Sequence, residues 1–159
     1  MKFVKMHGLG NDYVFLGPEE AVKVSDPAKL SVLVSRAHFG VGSDGLVLIL
    51  PSDVADAKMR IFNRDGSEAE MCGNALRCVG KYLYETGRIT DTRATVETLG
   101  GVKPLKLNVR NGRVGSVVAD MGLPEIGETV PLDLGGRAVP FLLVSVGNPH
   151  AVTYDLFPG

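Results

Sequence analysis

The first part of the chain predicts a β-hairpin followed by a helix. Residues 2–6 and 13–16 have the apolar pattern of strands, and a glycine-rich polar turn with Asn11 at its tip joins them. Asn and Asp are common in ordinary hairpin turns, because they tolerate left-handed backbone and bond locally, so this turn alone indicates no function. A helix then begins at Pro27, and its apolar stripe extends to residue 37.

The stretch 40–45, Gly-Val-Gly-Ser-Asp-Gly, matches the glycine fingerprint of dinucleotide-binding proteins letter for letter. That fingerprint requires a strand before it and a helix after it. Here the predicted helix precedes the glycines, and a predicted strand at residues 46–50 follows them. We therefore predict a tight helix-to-strand connection, with its glycines at positive φ, instead of a dinucleotide site.

A second hairpin leads into a helix that begins just after a cysteine. The predicted strand at residues 46–50 is expected to pair with a strand at residues 57–63. An Asp-Gly turn follows the second strand, and from Ala75 onward the apolar residues recur at helical spacing. This helix is predicted to end near Gly87, which suits a C-cap. Gly80 in its middle costs about 1 kcal/mol relative to Ala and indicates close packing. Cys72 is thus predicted to lie at a helix N-terminus.

The remainder of the chain predicts mainly strands. They are expected at residues 94–99, 105–109, 114–121 and 139–146, and at the beginning of one more, 151–154. An Asn-Gly pair at 111–112 is a strong hairpin signal, whereas residues 122–137 are rich in Gly, Pro and polar residues and predict a loop. With eight or nine strands, two principal helices and short connections, the pattern predicts an α+β fold with antiparallel pairing.

Composition and charge narrow the function classes. The 159 residues suffice for one domain, or for one and part of another, with 45% apolar and 22% charged residues. A net charge of −1 without a basic stripe makes nucleic acid and anionic membranes poor partners. With no transmembrane-length apolar run and no secretion signal, we predict a cytoplasmic protein. The two cysteines form neither a disulfide framework nor a zinc-binding pattern.

The position of Cys72 has chemical consequences. The first backbone N–H groups of a helix have no intrahelical partner, and the helix dipole favours negative charge there. A free thiol has a pKa of about 8.5, which such a position lowers, so Cys72 is predicted to be a thiolate near neutral pH. Gly73 permits close approach of a ligand and Asn74 adds an amide, which suits a carboxylate. For a lone cysteine, a buried thiol that fills space under the helix would be the better interpretation. With Gly73, Asn74 and the helix start beside Cys72, the structural and the functional interpretations are about equally good.

Polar amides accompany this thiol at strand ends or beside glycines, on what the pattern predicts to be one rim. They are Asn11, Asn63, Asn74 and Asn148. Each by itself is typical of a turn, but together with Cys72 they favour a zwitterionic small molecule such as an amino acid. The sequence has no phosphate-binding loop, no cluster of metal ligands and no lysine in a setting that suggests a Schiff base. We therefore predict chemistry without a cofactor or metal. A thiolate there acts as a nucleophile or as a Brønsted base.

Five motifs, taken in chain order, resemble those of the diaminopimelate epimerase family. They are His-Gly-Leu-Gly-Asn-Asp at 7–12, Gly-Val-Gly-Ser-Asp-Gly at 40–45, Ile-Phe-Asn-Arg-Asp-Gly-Ser-Glu at 61–68, Met-Cys-Gly-Asn-Ala-Leu-Arg-Cys at 71–78 and Gly-Asn-Pro-His at 147–150. The resemblance implies two similar halves, each a curved sheet wrapped around a central helix, with the site in the cleft between them. It also implies a pyridoxal-phosphate-independent isomerase that interconverts LL- and meso-2,6-diaminopimelate on the bacterial route to lysine and peptidoglycan.

The same resemblance assigns roles to individual residues. Cys72 would be one of two catalytic thiols, and His150 would assist catalysis, although a strand-edge histidine after a proline needs no function. The residues implied to bind substrate are Asn11, Asn63, Gly73, Asn74 and Asn148. No role is carried over to Gly45, where some family members have glutamine. The implied partner is diaminopimelate, and the implied full-length enzyme is a homodimer without a cofactor.

The family's mechanism requires two thiols on opposite faces of the substrate α-carbon. Cys78 cannot be the second, because six residues along a helix rise about 9 Å and turn roughly 240°, so the two sulfurs point apart. The family's second thiol belongs to a later Ala-Cys-Gly-Thr-Gly type motif that this sequence does not contain. We therefore predict a half-domain at residues 1–120, the opening strands of a truncated second half at 121–159, and a chain that is inactive alone.

Three alternative functions stay open on the sequence alone. A proline or hydroxyproline racemase, or a phenazine-type isomerase, shares the implied fold but differs in its motifs around the thiol. Cys72 with His150 or His7 would suit a thiol hydrolase or acyltransferase, which burst-phase acylation would reveal. A non-catalytic binding module would retain ligand binding without turnover.

Overall fold

Strands and two principal helices build the larger part of the structure, a computed structural model that describes residues 1–155. By its contacts the chain divides into two units, Met1–Asp120 and a second that begins at Met121. The elements of the first unit are β1 (Val4–Gly8), β2 (Asn11–Leu16), α1 (Pro18–Ala21), α2 (Pro27–Ser35), β3 (Gly45–Leu50), β4 (Ala57–Asn63), β5 (Glu68–Ala69), α3 (Gly73–Glu85), β6 (Arg93–Thr98), β7 (Gly101–Arg110) and β8 (Arg113–Ala119). Those of the second are β9 (Glu125–Asp133), β10 (Ala138–Ser145) and β11 (Pro149–Val152).

One curled sheet organises the first unit. Its strand order is β1-β2-β3-β4-β6-β7-β8, with β5 paired to β4, and only the β2–β3 and β4–β6 pairs are parallel. Helix α3 contacts β1 and β8, the two opposite edge strands, as well as strands between them. One helix reaches both edges only if the sheet bends around it. The expected α+β fold, a curved and mostly antiparallel sheet around a central helix, is confirmed.

The core lies on both faces of the middle strands. On the concave face, α3 buries Leu76, Val79 and Leu83 against the sheet. A Cβ added to Gly80 would lie 2.9 Å from Leu105 Cδ1, so the close packing predicted at this glycine is present. On the convex face, α1 and α2 cover a cluster of buried side chains, namely Val14, Leu16, Ala21, Leu46, Leu48 and Phe62. Strand β2 is therefore in contact with helices on both faces of the sheet, α1 on one and α3 on the other, while α1 and α2 cover β3 and α2 covers β4.

Local signals set the predicted helix boundaries. The side chain of Asp26 accepts a hydrogen bond from the Lys29 backbone N–H at 3.0 Å and caps α2, with Pro27 at its first position. Helix α3 ends at Glu85, and Gly87 follows with a φ of 72°. This positive φ agrees with the predicted role of Gly87 at the C-terminus of the helix. The hairpin between β1 and β2 turns at Leu9 and Gly10, both with positive φ.

The glycine-rich connection at residues 40–45 does join a helix to a strand, but positive φ at all its glycines was a wrong expectation. Of its three glycines, only Gly42 has a positive φ, of 75°. A Cβ on Gly40 would meet the Leu33 carbonyl oxygen, and a Cβ on Gly45 would meet that of Phe62. These two glycines are therefore required by close backbone approach.

The prediction of a loop at residues 122–137 was also wrong, because β9 occupies most of it. Nearly every side chain of β9 is exposed, so its sequence carries no alternation of buried and exposed positions. Backbone pairing with β10 forms the strand instead, in a register that runs from Glu125 opposite Ser145 to Asp133 opposite Ala138. With β9 and the two-residue β5, the described residues contain eleven strands instead of eight or nine.

The second unit is a three-stranded antiparallel sheet in the order β11-β10-β9. Among its described residues, Val139 alone is buried. The interpretation of the two units as one complete half-domain and the opening of a second stays a prediction. Within residues 1–155 we find no helix that combines the length and the apolar character required to cross a membrane.

Candidate active site

Strands β2, β3 and β4 and helix α3 each have one terminus at the same edge of the curled sheet, the edge formed by strand ends. The candidate residues of the first unit lie at these termini. Strands β2 and β3 are parallel and both start at this edge, where Tyr13 is in register with Gly45. Strand β4 runs the opposite way and ends there, with Asn63 opposite Gly45. Helix α3 starts beside them, because a Cβ on Gly8 at the end of β1 would lie 3.1 Å from the Cβ of Asn74. Pairing register thus brings distant parts of the sequence together.

Cys72 occupies the N-cap position of α3. Its backbone is extended, with φ −143° and ψ 113°, and its side chain does not cap the helix. The thiol is half-buried and not part of a disulfide, and Sγ donates a hydrogen bond to Asn11 Oδ1 at 3.4 Å. The sulfur therefore stands at the positive end of the helix, with the N–H groups of the first turn beside it.

Asn11 connects this thiol to Asp44. Asn11 Nδ2 donates to Asp44 Oδ2 at 3.0 Å, and the same oxygen accepts the Asp12 backbone N–H at 2.9 Å. The backbone N–H of Asp44 in turn donates to the Asp12 carbonyl at 2.8 Å. Asp44 lies in the glycine-rich stretch that the sequence assigned to a connection, and the sequence analysis missed it as a site residue. Its position inside the glycine-rich stretch at residues 40–45 was the available signal.

Tyr13 is a second residue that the sequence analysis missed. It is buried, its ring makes an edge contact with Phe15, and its hydroxyl interacts with the Cys72 and Asn11 side chains. Burial, and next the negative charge of a Cys72 thiolate, raise the pKa of Tyr13 from 10.0 to about 12. The hydroxyl therefore keeps its proton and can donate it in a hydrogen bond to the sulfur.

The remaining first-unit candidates lie around this centre. Gly73 is the first residue of α3, and Asn74 follows with its Oδ1 accepting from Arg77 Nη1 at 3.2 Å. Asn63 Nδ2 donates to Ser67 Oγ at 3.0 Å and so stabilises the Asp-Gly turn after β4. The local contacts of Asn63 are therefore those of a residue that stabilises a turn. Its role in substrate binding stays a prediction.

Asn148 and His150 belong to the second unit, where the structure brings them to each other. The His150 Nε2 and Asn148 Oδ1 atoms are 3.2 Å apart, and the imidazole is exposed. His150 lies on β11 opposite Val144 of β10. The roles that the sequence predicts for this pair remain predictions.

Cys78 differs from Cys72 although both are on α3. It is buried against the sheet, and burial, followed by the charge of a Cys72 thiolate, raises the pKa of its thiol from 9.0 to about 11. A thiol in this state is a poor base near neutral pH. Among the described residues, no three His, Cys, Asp or Glu side chains are grouped as metal ligands would be.

Comparison with known proteins shows the family. The sequence profile of the family described as diaminopimelate epimerase matches residues 3–126. The chain is 49% identical to the diaminopimelate epimerase of Acetivibrio thermocellus, over 99% of this chain and 62% of that protein. It is 52% identical to the diaminopimelate epimerase of Methanococcus maripaludis, over 97% of this chain and 60% of that protein. The chain thus spans about 60% of the length of these relatives.

A solved structure of different sequence has the same fold. A probable proline racemase from Agrobacterium radiobacter, with bound carbonate, superposes with a TM-score of 0.77 at 21% identity. The match covers 95% of this chain and 51% of the racemase chain. This similarity concerns the fold alone.

Proposed function

This chain belongs to the diaminopimelate epimerase family, and from that premise we propose that the protein it represents interconverts LL- and meso-2,6-diaminopimelate by proton transfer at the α-carbon. The observation that carries the proposal is the thiol of Cys72 at the N-terminus of α3, with Asn11 Oδ1 3.4 Å from its sulfur. A proton-transfer site needs a group that can both accept and return a proton beside donors for a carboxylate. This edge of the sheet offers both.

The first turn of α3 supplies the carboxylate-binding part of the proposed mechanism. Its backbone N–H groups have no partner within the helix and point along the positive end of the dipole. Gly73 leaves room for a carboxylate to approach these groups, and the Asn74 side chain lies next to them. Donors that hold the α-carboxylate also stabilise the negative charge that develops when the α-proton leaves.

Cys72 supplies the proton transfer on one face of the α-carbon. As a thiolate it removes the α-proton, the C–H electron pair stays on the α-carbon and its carboxylate, and the sulfur becomes a thiol. As a thiol it returns a proton in the reverse direction. Inversion requires a second acid on the opposite face, and buried Cys78 does not suit that role. We therefore propose that the second thiol lies outside this sequence and that the 159-residue chain alone does not invert its substrate.

The further parts of the proposal follow from family membership. Asn11, Asn63 and Asn148 would bind substrate, and His150 would assist catalysis. The full-length enzyme would act in the cytoplasm as a homodimer, without a cofactor and without nucleic acid or membrane as a partner.

The test is exchange of the α-proton in D₂O, followed by NMR on LL- and meso-diaminopimelate. We expect the 159-residue chain to catalyse slow exchange that requires Cys72, because one base suffices for removing and returning a proton on the same face. The Cys72→Ala variant should lose the exchange. Cys78→Ala removes the other thiol of α3 and should retain it, which makes it the matched control.

Exchange that persists in Cys72→Ala would contradict the proposal. If the isolated chain shows no exchange, the C-terminal part of the Acetivibrio thermocellus relative is added in trans, and the same two variants are compared. Burst-phase acylation of Cys72 by an ester substrate would favour a thiol hydrolase instead.

A further inference from the structure

Arg77 lies one helical turn after Asn74 on α3 and bonds its side chain. Arg77 Nη1 donates to Asn74 Oδ1 at 3.2 Å, and both residues are partly buried. Positions i and i+3 share one face of a helix, so the helix itself brings the two side chains together. A guanidinium has donors and no acceptor, so the carbonyl end of the amide must face Arg77. The NH₂ end of the Asn74 side chain is therefore turned away from the guanidinium.

The backbone of Asn74 is held by the neighbouring strand. A Cβ on Gly8, at the end of β1, would lie 3.1 Å from the Cβ of Asn74 and 3.1 Å from its carbonyl oxygen, so the two backbones are in close contact. Asn74 directly follows Gly73, the first residue of α3, and so belongs to the turn whose N–H groups have no partner within the helix. Strand β1 thus fixes the backbone of this residue, and Arg77 fixes its side chain.

An asparagine in the first turn of a helix can compete with a ligand for the same donors. Its side-chain oxygen is able to accept from a backbone N–H of its own or a neighbouring residue, as asparagines do in turns and at helix starts. Such a local hydrogen bond would occupy a donor that an incoming carboxylate needs. The contact with Arg77 holds the Asn74 oxygen instead, so the backbone donors of the turn stay open to a ligand.

We propose that Arg77 is a positioning residue, which holds the carbonyl oxygen of Asn74 and thereby makes the side-chain NH₂ of Asn74 a donor to the substrate carboxylate. The inference rests on the proposed function, since it concerns the carboxylate-binding part of that site. An amide by itself is both a donor and an acceptor and does not distinguish a carboxylate from an ammonium. With its oxygen engaged by Arg77, Asn74 selects the carboxylate.

The experiment is an NMR titration of the ¹⁵N-labelled 159-residue chain, which follows the side-chain NH₂ resonances of Asn74 and the backbone amide of Gly73. The probes are meso-2,6-diaminopimelate and 1,5-diaminopentane, which has the same two amines and no carboxylate. We expect diaminopimelate to shift these resonances and 1,5-diaminopentane to leave them unchanged at equal concentration. If diaminopimelate causes no shift in the unaltered chain, or if both probes cause equal shifts, the proposal is overturned.

Three variants test the role of the guanidinium. Arg77→Gln removes the control of orientation, because a glutamine amide both donates and accepts and so pairs with Asn74 in either orientation. We expect it to raise the Kd for diaminopimelate about three- to tenfold, as the loss of one hydrogen bond to the ligand would. Arg77→Lys retains a side chain that only donates and should restore most of the affinity. Lys81→Gln removes an equal charge from the same helix and should change the Kd less than Arg77→Gln does. An unchanged Kd in Arg77→Gln, or an equal change in Lys81→Gln, contradicts the proposal.

A double-mutant cycle separates positioning from the charge of the guanidinium. In the Asn74→Ala background, Arg77→Gln should change the Kd no more than Lys81→Gln does, because the amide that Arg77 orients is absent. An equal Arg77→Gln effect with and without the Asn74 side chain overturns the proposal. If Arg77→Gln fails to fold, Asn74→Ala alone decides, since it should raise the Kd by a similar factor and an unchanged Kd would contradict the donor role.

The readout is ligand binding and does not involve the chemistry of Cys72. It can therefore fail while Cys72-dependent α-proton exchange stands. Conversely, orientation-dependent binding of diaminopimelate at Asn74 supports the role of Arg77 even when the isolated chain exchanges no α-proton.

Discussion

Two buried groups that interact electrostatically with Cys72 are both held neutral. Burial raises the pKa of Tyr13 to about 12 and that of Cys78 to about 11, and the charge of a Cys72 thiolate adds to each. A buried neutral hydroxyl can donate to the sulfur without itself ionising, whereas a buried neutral thiol on the far side of the helix takes no part in proton transfer near neutral pH. The neighbourhood therefore leaves Cys72 as the one thiol of this helix suited to acid–base work.

The raised pKa of Tyr13 predicts a loss of stability at high pH. Between pH 10 and 12 the folded protein keeps a proton that the unfolded chain releases, so the free energy of unfolding falls as pH rises through this window. The loss from Tyr13 between pH 9 and 12 should be about 2 kcal/mol. Urea unfolding at both pH values should show this loss in the unaltered protein and not in Tyr13→Phe. Equal pH dependence of the two proteins would contradict the assignment.

At the scale of elements, the edge of β2, β3 and β4 leaves no room for a side chain on Gly45. A Cβ there would meet the Phe62 carbonyl oxygen and would lie 2.9 Å from Tyr13 Cε1 and 3.1 Å from Asn63 Cα. Backbone atoms of a central strand cannot move away without breaking the β3–β4 pairing. The absence of a side chain at Gly45 lets the Tyr13 ring from one side and the Asn63 backbone from the other both approach β3 closely.

Gly45→Ala should therefore lower the free energy of unfolding by about 1–3 kcal/mol, the usual cost of overpacking. Gly115→Ala in β8 is the matched control, because a Cβ there would meet only the Asn108 carbonyl oxygen at an ordinary 3.7 Å. That variant should change stability by no more than about 0.5 kcal/mol or should stabilise slightly. Urea denaturation followed by circular dichroism measures both. A Gly45→Ala protein as stable as Gly115→Ala would show that the strand edge can relax.

At the scale of the whole molecule, the hydrophobic core is unevenly divided. The first unit contains the curled sheet, all three helices and every buried hydrophobic residue among the described positions except Val139. Three strands with one buried residue do not form a core of their own, since an isolated small sheet is marginal in water. The free energy of unfolding of the first unit should therefore come from contacts within residues 1–120, with little contribution from the second unit.

A chain that ends at Asp120 is expected to fold cooperatively. Its urea midpoint should match the main transition of the 159-residue chain, because the packing around α3 is contained within the first unit. Circular dichroism records the transition, and slow alkylation of buried Cys78 at pH 8 reports whether the native core has formed. A broad, non-cooperative transition would show that the first unit requires the second.

Most of the secondary structure was predictable because its signals are local. The cap at Asp26, the Asn-Gly turn at 111–112 and the helical spacing from Ala75 each act within a few residues. Strand β9 was missed for the converse reason, since its side chains are exposed and only its pairing with β10 defines it. Positive φ was predicted at Gly40 and Gly45, whereas close approach of neighbouring backbone is what requires glycine there. The sequence shows that a glycine is present but does not show which neighbour approaches it.

That Cys72 precedes a helix follows from local sequence, because the thiol and the helix-forming residues are adjacent in the chain. The contacts of that thiol depend on the folded structure. Asn11 lies 61 residues from Cys72 and 33 residues from Asp44, and no local pattern relates them. The parallel register of β2 and β3 brings Asn11 to Asp44, and the curling of the sheet around α3 brings Asn11 to the sulfur. Strand register and sheet curvature are properties of the folded chain, set by packing of the whole core.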